Sequence, residues 1–205
     1  MIDTKDDPRD LSVSLSAIIS PITNLSGNKP EATNPGSPGT APGLQRSPTI
    51  CGDLDMRIAR DGTWFYHGSP IGRKPLVQLF AKVLRREDDG EFYLVTPVEK
   101  GRVAVDDAPF VAVELRRTGE GRAQNLVFRT NIDDEVPVDN QHPIRVEFDA
   151  ASGEPSPYVR VRGGLDALIA RAVYYELVEL GEESADNPGH FGVWSGGDFH
   201  VIGLL

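Results

Sequence analysis

The chain has little cysteine: Cys51 is the only one in 205 residues. An intrachain disulfide is excluded, and so is a zinc site built from several thiolates. This composition fits a reducing cytoplasm. Long apolar runs are also absent, and none approaches the roughly 20 residues that span a bilayer. The mildly apolar stretch Leu11–Leu25 is broken by four serines, Thr23 and Asn24. Acidic residues outnumber basic ones ahead of it, so no secretory signal is expected. Basic residues are in deficit throughout, 21 against 31 acidic, giving a net charge of −10 and a pI near 4.8. Phosphate neutralisation needs a surplus of Lys and Arg on one face, so a nucleic-acid binder is disfavoured. Docking on an anionic membrane is disfavoured for the same reason.

The first 48 residues contain no aromatic side chain, and from Pro21 to Pro48 they are rich in Pro, Gly, Ser, Thr and Asn. Such a segment buries too little apolar surface to offset its ordering entropy, so the composition predicts a mobile tail over 1–48. Within it, Ser12–Ile19 has the makings of a short helix or an added strand. Part of the tail has the option of lying across the folded body.

From Ile50 the pattern changes to that of a folded body. Asp55–Arg60 alternates like a strand, Asp61-Gly62 signals a turn, and Thr63–His67 returns as a second strand. Lys74–Arg86 places Leu76, Val77, Leu79, Phe80, Val83 and Leu84 on one helical face, with Pro75 suited to the first turn. Strands are predicted over 92–96, 102–105 and 111–117, then near 126–130, 135–138, 144–149 and 158–162. Leu165–Leu180 reads as a second helix with Gly181 as its C-terminal cap. A last hairpin joins 191–195 to 199–205 through Gly196-Gly197. The expected fold is α+β: two small similar units, 49–118 and 119–205, each with strands, one long helix and more strands in antiparallel sheets. The similarity of pattern suggests an internal structural repeat.

The loop Gly68-Ser69-Pro70-Ile71-Gly72-Arg73-Lys74 precedes the first helix. Helix N-termini offer free N–H groups and a positive dipole end, so Ser69, Arg73 and Lys74 make an anion-accepting candidate. It is not a nucleotide-hydrolysing P-loop. Three residues separate its glycines instead of four, Arg73 precedes the lysine, and Pro75 stands where Ser or Thr would hold magnesium. Thr96, Glu99 and Lys100 flank a proline turn and are candidates to line a cleft with Asp106 or Asp107. A structural ion pair is the plainer account of those charges. Trp64 or Phe110 would pack an apolar part of the ligand.

Other constellations are weaker. Asp53 and Asp55 offer two hard oxygen ligands, which alone make a poor metal site. His67, His142, His190 and His200 are scattered; His190 and His200 are candidate neighbours across the last hairpin, without a metal-ligand spacing. Ser195 lies in a run with Val193 where a nucleophile elbow needs glycine. No complete catalytic set, metal site or cofactor motif is present.

Gly52-Asp53-Leu54-Asp55-Met56-Arg57-Ile58, followed by Asp61-Gly62-Thr63-Trp64 and Pro70-Ile71, resembles the bacterial family of unknown function DUF1285. Leu94-Val95-Thr96-Pro97-Val98-Glu99-Lys100 and Asp106-Asp107-Ala108-Pro109-Phe110 strengthen the resemblance, which covers roughly 51–205. It implies a two-unit α+β fold with an internal repeat, some pleckstrin-homology-like character, and a ligand-binding or signalling role. It implies no established activity and carries over no catalytic residue.

Three functions stay open on these residues. The first is a cytoplasmic module binding a small anionic ligand or relaying a signal, its cleft near the Gly68–Lys74 loop and the Thr96–Lys100 turn. The second is an enzyme, hydrolase-like, with Glu99 or Asp107 as base. The third is an interaction module whose tail or exposed strand edge meets a protein partner.

Overall fold

The computed structural model describes residues 49–97 and 99–205. The tail, with the expected element at Ser12–Ile19, lies outside the described residues, as does Val98.

Strands β1 (Thr49–Ile58), β2 (Trp64–Tyr66) and β3 (Ser69–Pro70) form an antiparallel meander. Its first turn holds because Gly62 takes φ +81° and the Asp61 carboxylate accepts the Thr63 N–H at 2.9 Å. Helix α1 (Lys74–Val83) follows, with Pro75 in its first turn and Val77, Phe80 and Ala81 buried. A second meander comprises β4 (Leu84–Arg86), β5 (Phe92–Val95) and β6 (Glu99–Val105). The two meanders join through a parallel pairing of β1 with β6, giving a six-stranded sheet ordered β3-β2-β1-β6-β5-β4.

The second sheet repeats this plan. Strands β7 (Phe110–Thr118), β8 (Asn125–Thr130) and β9 (Glu135–Pro137) form one meander; β10 (Ile144–Phe148), β11 (Pro155–Arg162) and β12 (Leu165–Ile169) form the other. Here β7 pairs in parallel with β12, and the order β10-β11-β12-β7-β8-β9 matches the first sheet strand for strand. Each sheet is thus antiparallel except for one central parallel pair. The strand 110–118, grouped with the first unit on sequence pattern, pairs within the second sheet.

The helices break the repeat. α1 lies between its two meanders, whereas α2 (Arg171–Glu179) follows the last strand of the second sheet. The expected helix over Leu165–Leu180 is therefore half strand. Gly163 and Gly164, at φ +44° and +79°, turn β11 straight back into β12, and Leu165–Ile169 is flanked on both sides by paired strands. A short apolar run buried on both faces reads equally well as helix, so periodicity alone did not separate the two. Likewise α1 stops at Val83 because Leu84, Arg85 and Arg86 pair with Leu94, Tyr93 and Phe92.

A third sheet of β13 (Glu182–Glu183), β14 (His190–Ser195) and β15 (Asp198–Leu204) completes the chain. It is fastened to the second by Gln124, whose amide donates to Trp194 O at 2.9 Å, and by Ser195 Oγ, which accepts Leu126 N–H at 3.1 Å. One apolar core runs through the molecule, from Met56 to Ile202. α1 belongs to the first unit in sequence but is bonded to the second: Gln78 donates to Ile132 O at 2.9 Å, and Lys74 pairs with Asp133 at 2.7 Å.

Candidate functional site

A cleft of about 590 Å³ opens where the β1–β2 hairpin of the first sheet meets the second unit. Its floor is Pro155, Ser156 and Pro157 of β11 with Leu168 and Ile169 of β12. One wall is the start of α2, with Ala170, Arg171, Tyr174 and Tyr175; the other is the Asp149–Glu154 loop. Arg60 reaches in from the turn between β1 and β2.

The sequence explains each wall. β12 ends at Ile169 because Ala170 leaves the sheet as the N-cap of α2, its own N–H bound to Ala112 O at 3.0 Å. Alanine has no side-chain acceptor, so the first-turn amides of α2 lack a side-chain cap. They are donors at the positive end of a helix. In the opposite loop, Asp149 Oδ1 accepts the N–H groups of Ala151 and Ser152 and the Ser152 hydroxyl. These bonds hold its carboxyl below the usual carboxylate range, the Ser152 N–H being the largest cause. Asp149 thus shapes the loop, and much of its charge is spent on loop donors.

Arg171 and Arg60 supply the cations. Arg171 Nε donates to Tyr175 OH at 3.1 Å, and its Nη1 lies 3.5 Å from Glu154. Arg60 donates to Ser156 Oγ at 3.1 Å and pairs with Asp107 at 3.1 Å. Tyr174 stands between the helix and β15, its hydroxyl 3.5 Å from Ile202 O, and burial raises its phenol pKa. It stays neutral across the physiological range and offers an aromatic face.

A smaller cavity of about 180 Å³ lies beyond Asp107, at the seam between the sheets. Tyr158 OH donates to Asp107 Oδ1 at 2.8 Å, and burial first, then Asp107, raises the tyrosine pKa. On the same wall the buried Asp166 is held by both Arg145 and Arg160. Every carboxylate with such partners is satisfied, so this cavity reads as a structural polar seam. Among the described residues no group of three or more His, Cys, Asp or Glu stands where it could hold a metal ion. No helix there is long and apolar enough to cross a membrane.

The residues singled out in the sequence are dispersed. Ser69 lies on β3 at the sheet edge, with β2 and β1 between it and β6. Thr96 lies in the turn between β5 and β6, and Glu99 starts β6 opposite Thr49, at the other end of β1 from the hairpin. The sheet therefore does not bring the Gly68–Lys74 loop and the Thr96–Lys100 turn into one cleft. Arg73 is the exposed N-cap of α1, while Lys74 is engaged by Asp133. Thr96 is buried and closes its own turn: its hydroxyl and N–H both bond Glu99 O, and Glu99 N–H returns to Thr96 Oγ1 at 3.0 Å. Lys100 pairs with Glu87 and lies 4.0 Å from the Tyr93 ring centre. Trp64 and Phe110 are core residues, Trp64 stacked on Phe80 at 6.2 Å. Glu99 and Asp107 stand at opposite ends of β6, roughly 20 Å of strand apart.

Asp53 and Asp55 also diverge. Asp53 accepts the Asp55 N–H and pairs with Arg102, while Asp55, at φ +52°, pairs with His67 at 2.5 Å. His190 and His200 are not cross-strand neighbours: the β14–β15 register sets His190 opposite Leu204 and His200 opposite Val193.

Sequence reasoning missed the cleft itself. Arg60, the 149–157 segment and the 168–175 segment share no local motif, and one of its walls was read as mid-helix.

The N-terminal domain of DUF1285, a domain of unknown function, matches residues 41–108, and the C-terminal domain, a protein of unknown function, matches 109–202. A DUF1285 family protein from Silicibacter pomeroyi DSS-3, with a crystal structure at 2.50 Å, is 50% identical. The likeness covers 83% of this chain and 91% of that one, with a TM-score of 0.72. Another, from Shewanella baltica OS155, is 31% identical over 62% of this chain and 91% of its own, with a TM-score of 0.49. No curated protein matches the chain.

Proposed function

We propose, from the premise that the chain belongs to the DUF1285 family, that it is a small-ligand-binding module whose site is the cleft between Arg60 and the start of α2. The observation carrying this reading is that cleft: about 590 Å³, with an arginine from each unit and a helix start that has no side-chain cap. The volume lies within the range of small-molecule sites, roughly 300–1,000 Å³. The anion-accepting role assigned on sequence to Ser69, Arg73 and Lys74 passes, in this reading, to Arg60, Arg171 and the α2 amides.

The ligand class follows from the lining. Glu154 faces Arg171, Asp107 pairs with Arg60, and Asp149 Oδ1 is engaged by its loop. The two arginines beside the uncapped start of α2 favour a carboxylate or phosphate group that displaces or shares these partners. The rings of Tyr174 and Tyr175 with Pro155 and Pro157 suit a flat or apolar remainder. A cytoplasmic signalling role is part of the same proposal, as is the pleckstrin-homology-like character that the family resemblance implies. The second unit is the candidate for that character, because one helix directly follows its sheet. A bound ligand must stabilise the fold, so a panel of phosphorylated metabolites, nucleotides and carboxylates is tested by thermal shift on the wild type and on Arg60→Ala. A rise that depends on dose and on Arg60 supports the reading; no rise with any anion removes it.

A further inference from the structure

A second feature lies away from the cleft. The outer strand of the second sheet, β10, and the outer strand of the third, β15, border an apolar groove of about 310 Å³. Val146, Phe148, Val201, Ile202, Gly203 and Leu204 line it, and none is charged. Phe148 is 60% exposed and Leu204 75%. Among the described residues neither strand has a hydrogen-bonded sheet neighbour on its outer side, although the two strands pack against each other along part of their length. Unpaired edges beside exposed large apolar side chains normally carry a cover.

The chain contains a segment that fits. Leu11-Ser12-Val13-Ser14-Leu15-Ser16-Ala17 alternates apolar residue with serine at a strict period of two. Laid along a strand edge, such a pattern puts Leu11, Val13, Leu15 and Ala17 on one face and the serines on the other. No charged residue occurs between Asp10 and Lys29, so an uncharged segment faces an uncharged groove. Between Ile19 and the start of β1 at Thr49 run 29 residues, 20–48. At about 3.3 Å each they reach far beyond the width of the molecule. A tether of this kind holds a segment near its own body at an effective concentration that a free partner rarely matches.

We propose that residues 11–17 of this same chain occupy the β10–β15 groove by adding to one of its edges, with Val13 and Leu15 against Phe148 and Leu204. The tail then acts as an intramolecular cover for an otherwise adhesive edge, a role independent of the ligand cleft.

Hydrogen exchange on the full chain tests this. The wild type is compared with Val13→Asp/Leu15→Asp, which leaves the body untouched, and with Phe148→Asp, at an exposed position of the groove. A groove filled about nine-tenths of the time slows exchange of its edge roughly tenfold. The expected result is that much faster exchange in β10 or β15 of the tail variant. The same loss of protection is expected in residues 11–17 of the Phe148 variant, and neither effect should change with protein concentration. Unchanged exchange in both variants overturns the proposal. Edge protection that falls on dilution also overturns it, because the occupant is then a second copy.

Discussion

Arg162 on β11 donates a hydrogen bond from Nη2 to the carbonyl oxygen of Ala81 at 3.0 Å, across 81 residues of sequence. Ala81 lies in the last turn of α1, where carbonyls lack helical partners and a cation is favoured by the dipole. The same guanidinium pairs with Asp134 and lies 5.1 Å from the Phe110 ring centre. One side chain of the second unit thus caps a carbonyl in the last turn of the first unit's helix.

Replacing Arg162 with Ala removes one of the two partners of the Ala81 carbonyl, which keeps the Leu84 N–H, together with the Asp134 pair and the ring contact. The expected cost is about 2 kcal/mol, the range for a hydrogen bond from a charged group reduced for partial exposure. In a domain of this size Tm should fall by roughly 4–8 °C, read by calorimetry. Arg162→Lys should recover only part of it, because an ammonium lacks the fork that reaches two acceptors and a ring. An unchanged Tm in the alanine variant would remove this bond from the account of how the units are joined.

Gly62 offers a cleaner steric test. A Cβ there would meet Asn131 Nδ2 at 2.4 Å, and the residue has φ +81°. Asn131 is the clamp that holds the first hairpin to β7, donating to Gly62 O at 3.1 Å and accepting Val111 N–H at 3.1 Å. Gly62→Ala is expected to cost roughly 2–3 kcal/mol, from backbone strain plus the displaced clamp. Gly153→Ala, at φ +69° with nothing nearby, should cost only the strain, roughly 1 kcal/mol. Equal losses in denaturant titrations of the two would show that the clamp contributes nothing.

Acid should unfold the protein in a definite window. Arg57 beside Asp106, Lys74 beside Asp133 and Arg129 beside Glu114 hold these carboxyls below their ordinary range. Asp53 is lowered first by the Asp55 N–H. A group whose folded-state pKa is depressed gives stability that is full above the unfolded pKa and lost as pH falls through the folded one. Stability should therefore be flat towards neutrality and decline below about pH 4. Added salt should flatten that decline, because the pairs are exposed. A loss of stability already complete at pH 5 would assign acid sensitivity to other groups.

The elements were legible where one local rule dominated. Asp61-Gly62 gave its turn, and Pro75 with the apolar face of Val77 and Phe80 gave α1. Leu165–Ile169 was not legible, since its strand state depends on β7, more than fifty residues away, offering a parallel edge. Ser69, Arg73 and Lys74 were recognisable as a loop before a helix. That Asp133 would reach Lys74 could not be read from either segment alone. The cleft is hidden for the same reason: Arg60 meets Ser156, 96 residues away, only once the β1–β2 turn packs against the start of β11.

The central claim is that Arg60, Arg171 and the start of α2 hold one anionic small molecule. Its most direct test is titration of the best anion from the thermal panel into wild type, Arg60→Ala and Arg171→Ala by calorimetry. Loss of one charge-assisted contact should weaken binding by roughly 10- to 100-fold in each variant. Arg73→Ala, altered in the loop before α1, should bind as the wild type does. Full affinity in both cleft variants, or a loss confined to Arg73→Ala, would contradict the account and return the site to the Gly68–Lys74 loop.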